Sequence, residues 1–124
     1  MNQKQDSREG IAAFRSREKS IYLRNLFSEI TKKVVECEKI EDFSELMLLH
    51  ERELSKFLNV KMIKDKCFKD CPSFVKSLGA WGGAFVLDSK FGDYKKYFSH
   101  HNSHNVFDWE SWVYWFSVVS KLCV

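Results

Sequence analysis

Three of the five glycines in this chain fall inside one short segment, Gly79-Ala80-Trp81-Gly82-Gly83. Glycine is favoured where the backbone takes a positive φ or where another group approaches it closely. The flanking segments, 73–78 and 84–87, have the apolar composition of short strands. The pattern predicts an antiparallel hairpin whose connection is either a tight turn or a loop that approaches a ligand. On spacing alone, a turn with a packed Trp81 is the simpler interpretation.

Length and composition allow one small globular domain. A chain of 124 residues is no longer than a typical single domain. Its 44% hydrophobic and 15% aromatic residues supply enough apolar surface for one core. The 20 basic and 17 acidic residues are interspersed, so they form no electrostatic footprint for nucleic acid. We therefore expect no nucleic-acid partner.

Neither export nor membrane insertion is expected. The opening residues MNQKQDSREG are polar and charged, unlike a secretory signal, and no apolar run approaches the roughly 20 residues of a membrane span. We expect a cytoplasmic protein without a membrane partner. Its cysteines, Cys37, Cys67, Cys71 and Cys123, are expected to be reduced. At a spacing of i, i+4, Cys67 and Cys71 could share a helical face, and they are expected to be buried or half-buried free thiols.

Helical periodicity dominates the first half of the chain. Apolar residues recur at helical spacing over 11–34, with Ser7 as an N-cap and Glu9 in the first turn. This pattern predicts one helix over 7–38, or two helices with a break near Ser16.

Further helices and a small sheet complete the predicted fold. A wide apolar stripe predicts a helix over 40–58, and a weaker pattern predicts another over 61–69, which Pro72 ends. After the hairpin, 91–99 is a candidate short helix and 105–109 a candidate last strand. The prediction is an α+β fold with the helices packed on one face of a small antiparallel sheet. Two or three strands leave an exposed edge, which favours pairing with another chain.

The glycine-rich segment also resembles a known motif. KSLGAWGGAFVLD, residues 76–88, resembles the third motif of GHMP-type small-molecule kinases, the superfamily of galactokinase, homoserine kinase, mevalonate kinase and phosphomevalonate kinase. It is most similar to the bacterial GYDIA-family GHMP kinases, in which K-S-L-G-A-W-G-G-D-F is typical. KQDSREGI near the N-terminus and NVFDWESWV near the end resemble that branch more weakly. The resemblance extends from about Lys4 to about Trp112.

The resemblance implies a fold and an organisation. Residues 1–124 would form the ferredoxin-like C-terminal domain of such a kinase, whose first strand is represented at most by residues 1–6. Residues 113–124 would be an aromatic tail. The expected partners are the missing N-terminal half or a second copy of the chain, together with a small-molecule substrate similar to mevalonate, phosphomevalonate or a sugar.

The resemblance also implies cofactors, which belong to the complete kinase. Complete members bind ATP through an N-terminal P-x-x-x-G-L-x-S-S-A loop, and no such loop occurs in these 124 residues. ATP and Mg²⁺ are thus expected to serve the complete protein and not to bind tightly to this chain alone. No catalytic residue is assigned within it, and the chain alone is expected to be inactive.

In the family this motif lies near the nucleotide phosphates and the acceptor. The residues that would border the site are Lys76, Gly79, Trp81, Gly82 and Gly83, with Ser7 and Arg8 as further candidates. Phosphoryl transfer depends on positioning and charge stabilisation, so bare glycine N–H groups and a lysine suit it. Ala84 departs from the pattern, because the branch has an acidic residue there.

Two histidine-containing segments have simpler structural interpretations. His100, His101 and His104 in SHHNSH could bind zinc from a helix, but the intervening polar residues favour a solvated loop. No metal site is therefore expected. His50 and Glu51 do not complete an H-E-x-x-H motif and are expected to form a pair on the surface of the second helix.

The alternative function is a non-catalytic binding or assembly module. Such a module would pair with a partner, or with a second copy, through its exposed sheet edge and aromatic tail. The aromatic residues over 107–116 would then be core, or a surface that the partner covers.

Overall fold

The structure of the protein is a computed structural model that describes residues 7–78, 85–101, 106–108 and 116–120. For Ser7 and the last two segments it describes the backbone alone. The elements, in chain order, are α1 (Ser7–Ser16), α2 (Ile21–Glu36), α3 (Ile40–Leu58), α4 (Ile63–Cys67), β1 (Val75–Ser77), β2 (Phe85–Ser89), α5 (Tyr94–His100), β3 (Val106–Asp108) and β4 (Phe116–Ser120). Helices pack with an antiparallel sheet, which confirms the α+β class.

The long N-terminal helical pattern is divided in two. α1 ends at Ser16 and α2 begins at Ile21, which confirms the break near Ser16. Ser20 has an extended backbone, and its Oγ accepts a hydrogen bond from the Leu23 N–H at 3.1 Å. A serine in this position satisfies an amide that the helix itself leaves free, so a new helix begins there.

α3 has the bounds predicted for it, and its C-terminal end anchors α1. The residue after the helix, Asn59, is its C-cap. It adopts the left-handed conformation with φ 53°, which asparagine tolerates. Phe14 of α1 packs edge-on against Phe57 with ring centroids 5.4 Å apart. Arg17 donates from Nη2 to the Leu58 carbonyl oxygen at 3.1 Å, which places a cation at the negative end of the helix dipole.

The sheet has four strands in the order β1-β2-β4-β3. β1 and β2 form the predicted hairpin, with Val75 opposite Asp88 and Ser77 opposite Val86. β3 falls inside the strand expected over 105–109. β4 was not predicted: it comes from the C-terminal segment and pairs antiparallel with β2 on one side and with β3 on the other.

The core lies where α4 and α5 meet the hairpin. Phe68, Val75, Val86 and Phe98 are at most 1% exposed and belong to one apolar cluster. Phe68 and Phe98 are edge-on, with ring centroids 5.6 Å apart. Burial of a phenylalanine removes roughly 150–250 Å² of surface from water. This cluster therefore fixes the position of the hairpin relative to the helices.

Within the described ranges, no helix has both the length and the apolarity needed to cross a membrane. The longest of them, α3, has 19 residues and carries several ionisable side chains, among them Glu41, Asp42, Glu45, Arg52 and Glu53.

Candidate functional site

The glycine-rich segment connects the two strands of the hairpin. The Leu78 N–H donates to the Phe85 carbonyl oxygen at 3.1 Å, so the two ends of the connection are held together by a backbone hydrogen bond. Residues 79–84 lie outside the described residues. This range contains Ala84 and the predicted site residues Gly79, Trp81, Gly82 and Gly83. The structure therefore defines the base from which the segment starts.

At this base the lysine of the motif is paired with a carboxylate. Lys76 Nζ lies 3.4 Å from Glu51 Oε2, and the two side chains are 19% and 0% exposed. The sequence analysis predicted that Lys76 would supply a positive charge near a phosphate group. In the structure its charge is already compensated from α3, so its first role is to hold β1 against that helix.

Glu51 also binds the backbone of β1. Its Oε1 accepts a hydrogen bond from the Ser77 N–H at 3.1 Å. β1 is the outer strand among the four described strands, so none of them accepts a hydrogen bond from the Ser77 amide on that side. The carboxylate takes the place of a neighbouring strand and closes the edge at this position. We call Glu51, Lys76 and Ser77 the Glu51 clasp.

The position of Glu51 corrects the sequence prediction of a surface pair with His50. The side chain is fully buried, with 0% exposure. A signal for this was present, because Glu51 lies four residues after Met47 and three before Leu54, within the apolar stripe of α3. A carboxylate on the buried face of a helix requires a partner, and the partners are Lys76 and Ser77.

Burial controls the ionisation of two adjacent residues on α3, His50 and Glu51. Desolvation raises the pKa of Glu51 above its ordinary value of 4.5, while Lys76 and the Ser77 N–H act in the opposite direction. Desolvation lowers the pKa of the neighbouring His50 to about 4, helped by the positive charge of Lys76. His50 is thus neutral at pH 7. Its ring packs on Phe27 with centroids 4.8 Å apart. Among the described residues, no partner bonds its buried Nδ1.

The predicted residues Ser7 and Arg8 lie in the first turn of α1. Arg8 is exposed. α1 is anchored at the C-terminal end of α3, through Phe57 and Leu58. This anchor lies about 10 Å along the helix from Glu51, at 1.5 Å per residue.

A second polar cluster joins α5 to the turn before β1. Tyr97 donates from its hydroxyl to Asp70 Oδ1 at 2.7 Å, and His101 Nε2 lies 3.6 Å from the same oxygen. The His101 ring stacks on Tyr97 at 4.3 Å between centroids, and its Nδ1 donates to the Tyr97 carbonyl oxygen at 2.9 Å. We call Asp70, Tyr97 and His101 the Asp70 cluster. The tyrosine hydroxyl is the main cause that lowers the pKa of Asp70.

The solvated loop expected for SHHNSH is therefore wrong in part. His100 belongs to α5, where its Nδ1 donates to the Lys96 carbonyl oxygen at 2.7 Å, and His101 caps that helix. His104 lies outside the described residues. In the part of the chain that is described, no three His, Cys, Asp or Glu side chains are grouped as a metal ion would require.

The cysteines differ from one another. Cys67 is disulfide-bonded, so the expectation of a free thiol there is wrong. Cys37 and Cys71 are free. Cys71 is buried as expected, and desolvation raises the pKa of its thiol. The bonded Cys67 is the last residue of α4, and the free Cys71 follows four residues later, outside the helix.

An open groove of about 600 Å³ runs between the end of α2 and α3. It is lined by three leucines and by Lys33, Glu36, Cys37, Asp42, Glu45 and Arg52. The charges of both signs lie close together, and the groove is formed without any residue of the hairpin.

Comparison with known proteins returns nothing: no family model, no curated protein and no solved structure matches the chain.

Proposed function

We propose that the chain is the C-terminal lobe of a GHMP-type, ATP-dependent kinase that phosphorylates a small molecule. The proposal rests on KSLGAWGG lying at the connection of a hairpin whose base is fixed. The Glu51 clasp holds β1 against α3, and the Leu78–Phe85 backbone bond joins the two ends of the connection. A motif suited to phosphate thus begins at a support that is held by hydrogen bonds.

In this proposal, backbone amides of residues 79–83 approach the phosphates. Phosphoryl transfer needs little covalent chemistry from the protein and depends on positioned donors. Glycine allows the close approach that such donors require. Lys76 and Glu51 act as positioning residues, because the charge of Lys76 is compensated by a buried carboxylate and the pair holds β1 in place.

The nucleotide loop and Mg²⁺ belong to the complete kinase. The acceptor is a small molecule with a hydroxyl or phosphate group, of the mevalonate, phosphomevalonate or sugar type. The 124 residues lack the ATP loop, so the purified chain should not turn over ATP with mevalonate or other small alcohols. Turnover that survives repurification would contradict this part of the proposal.

Weak nucleotide binding offers the sharper test. We expect millimolar Mg·ATP to shift the amide NMR signals of residues 76–85 of the purified chain, and G82A or G83A to reduce those shifts. G92A is the matched control, because a Cβ at Gly92 meets no atom within 4 Å. Shifts that concentrate in the α2–α3 groove, or that G82A and G83A leave unchanged, would count against the proposal.

The cytoplasm is the compartment we propose, since ATP-dependent metabolic kinases act there. The Cys67 disulfide is the observation against it, because cytosolic thiols are normally reduced. Alkylation of cells at the moment of lysis, followed by mass spectrometry, measures the state of Cys67. Full alkylation supports the cytoplasm, and a protected disulfide opposes it.

A further inference from the structure

The last strand in sequence, β4, lies in the interior of the sheet, between β2 and β3. β2 and β3 are each antiparallel to β4, so they are parallel to one another, and α5 connects them. Adjacent strands lie about 4.8 Å apart, so this crossover spans a space roughly 9–10 Å wide. β4 occupies the space, although it follows both neighbours in sequence.

Both neighbours depend on β4 for backbone hydrogen bonds. Leu78 and Phe85 form a hydrogen-bonded pair, and such pairs alternate along an antiparallel ladder. The amide of Leu87 therefore faces β1, whereas those of Val86 and Asp88 face β4. Without β4, β2 would have an open edge and β3 would lose its described pairing.

The five residues of β4 themselves carry no feature that distinguishes one copy of the chain from another. Phe116-Ser117-Val118-Val119-Ser120 has no charge, proline or glycine. Its five residues pair one-to-one with β2, from Ser89↔Phe116 to Phe85↔Ser120. An identical strand from another molecule would make the same bonds in the same register. The outer edge at β1, by contrast, is occupied at Ser77 by Glu51.

We propose that the space between β2 and β3 is a strand-acceptor site, and that β4 of a second copy of this chain is its exchangeable occupant. Exchange of identical strands conserves every ladder hydrogen bond, so protein concentration decides between the two arrangements. Assembly would thus use the interior of the sheet, and the edge that the sequence suggested would stay closed. This inference is independent of the kinase proposal.

Hydrogen exchange on the full-length native chain provides the first test. The Cys67 disulfide is reduced beforehand, because a covalent bond can hold a segment in place. If β4 leaves while the hairpin stays formed, the Val86 and Asp88 amides exchange at least about tenfold faster than the Leu87 amide, after correction for intrinsic rates. Equal protection of all three amides would mean that the sheet opens as one unit, and would overturn the proposal.

A peptide provides the second test. A fluorescein-labelled peptide of residues 113–122 is titrated with the full-length V119P chain, whose own strand lacks the amide that faces Val86. We expect this chain to bind the peptide at least about tenfold more tightly than the wild-type chain does, since in the wild type the tethered β4 competes.

Two controls decide what the peptide result means. A peptide carrying V119P should bind at least about tenfold more weakly, whereas one carrying V119I, which keeps the amide, should bind normally. Equal binding of all three peptides, or no binding by a V119P chain that keeps its helical circular dichroism, would overturn the proposal. If V119P does not fold, the exchange pattern of the wild-type chain decides.

Discussion

The Glu51 clasp and the Asp70 cluster use the same chemical group in opposite surroundings. Each centres on a carboxylate that accepts a hydrogen bond and lies near a basic side chain. Glu51 is 0% exposed, whereas the Asp70 side chain is 71% exposed. The pKa of Glu51 is raised because desolvation outweighs its partners, and that of Asp70 is lowered because the Tyr97 hydroxyl acts with almost no desolvation.

The difference shows where polar contacts determine this structure. A buried carboxylate must be paired, so loss of one partner leaves an uncompensated polar group inside the protein. An exposed carboxylate exchanges a protein partner for water at little cost. The clasp should therefore control the position of the hairpin, and the Asp70 cluster should only adjust α5. Four substitutions test this contrast.

E51A should have the largest effect. It leaves the Ser77 amide and the Lys76 ammonium without their partner, and breaking a buried pair of this kind typically costs about 3–5 kcal/mol. We expect a loss near the middle of that range in urea denaturation. E29A is the control, because Glu29 pairs with Lys32 on the surface with 58% of its side chain exposed. A loss no larger than that of E29A would remove the distinction between the two regions.

K76M should rank second, with a strong pH dependence. Since Lys76 lowers the pKa of Glu51, its removal raises that pKa further. A raised carboxyl pKa means that the folded state binds the proton more tightly. Stability then falls as pH rises from 4.5 to the folded-state pKa. We expect a loss of about 3 kcal/mol at pH 7 that shrinks on acidification, measured by denaturation at several pH values. A loss independent of pH would show that Lys76 contributes packing alone.

H50F should change the acid side of the stability profile. The pKa of His50 is lowered from 6.5 to about 4, so the unfolded chain takes up a proton in this interval and the folded chain does not. Stability is therefore lost as pH falls from 6.5 toward 4, by at most about 1.4 kcal/mol per pH unit for one proton. Phenylalanine keeps the contact with Phe27 and should flatten this slope. An unchanged slope would mean that His50 is protonated in the folded protein.

Y97F should have the smallest effect on stability. It removes the hydroxyl that lowers the pKa of Asp70, so this pKa should rise toward its ordinary value of 3.8. A lowered carboxyl pKa stabilises the fold above the unfolded value, and this contribution disappears as pH falls through the folded pKa. The variant should therefore lose little at pH 7 and be less sensitive to acid. NMR titration of the Asp70 carboxyl measures the shift directly, and a loss comparable to that of E51A would contradict the contrast.

Sequence reasoning succeeded where the signal is local. The apolar stripe over 40–58 gave the bounds of α3, and two apolar runs around a glycine-rich segment gave the β1–β2 hairpin. The helix break near Ser16 was equally visible, because it depends on nearby residues such as Ser20. For the candidate site, Lys76 was proposed as a cation for phosphate, and its pairing with Glu51 was not foreseen.

The errors concern residues whose partners are remote in sequence. Glu51 was predicted to be a surface residue, because the donor that binds its carboxylate, the Ser77 N–H of β1, lies 26 residues away in sequence. β4 has the composition of a strand, yet its place depends on a space that β2, α5 and β3 create together. Cys67 was expected to be free, and the disulfide that it forms could not be predicted from spacing.

The sequence by itself determined the helices, the hairpin and the location of its glycines, because period, capping and turn chemistry act between near neighbours. Only the tertiary structure decided that Glu51 lies inside, that its carboxylate closes the β1 edge, and that the last strand enters the middle of the sheet. Burial and strand order depend on which elements pack against one another, and a pattern along the sequence does not specify contacts between remote elements.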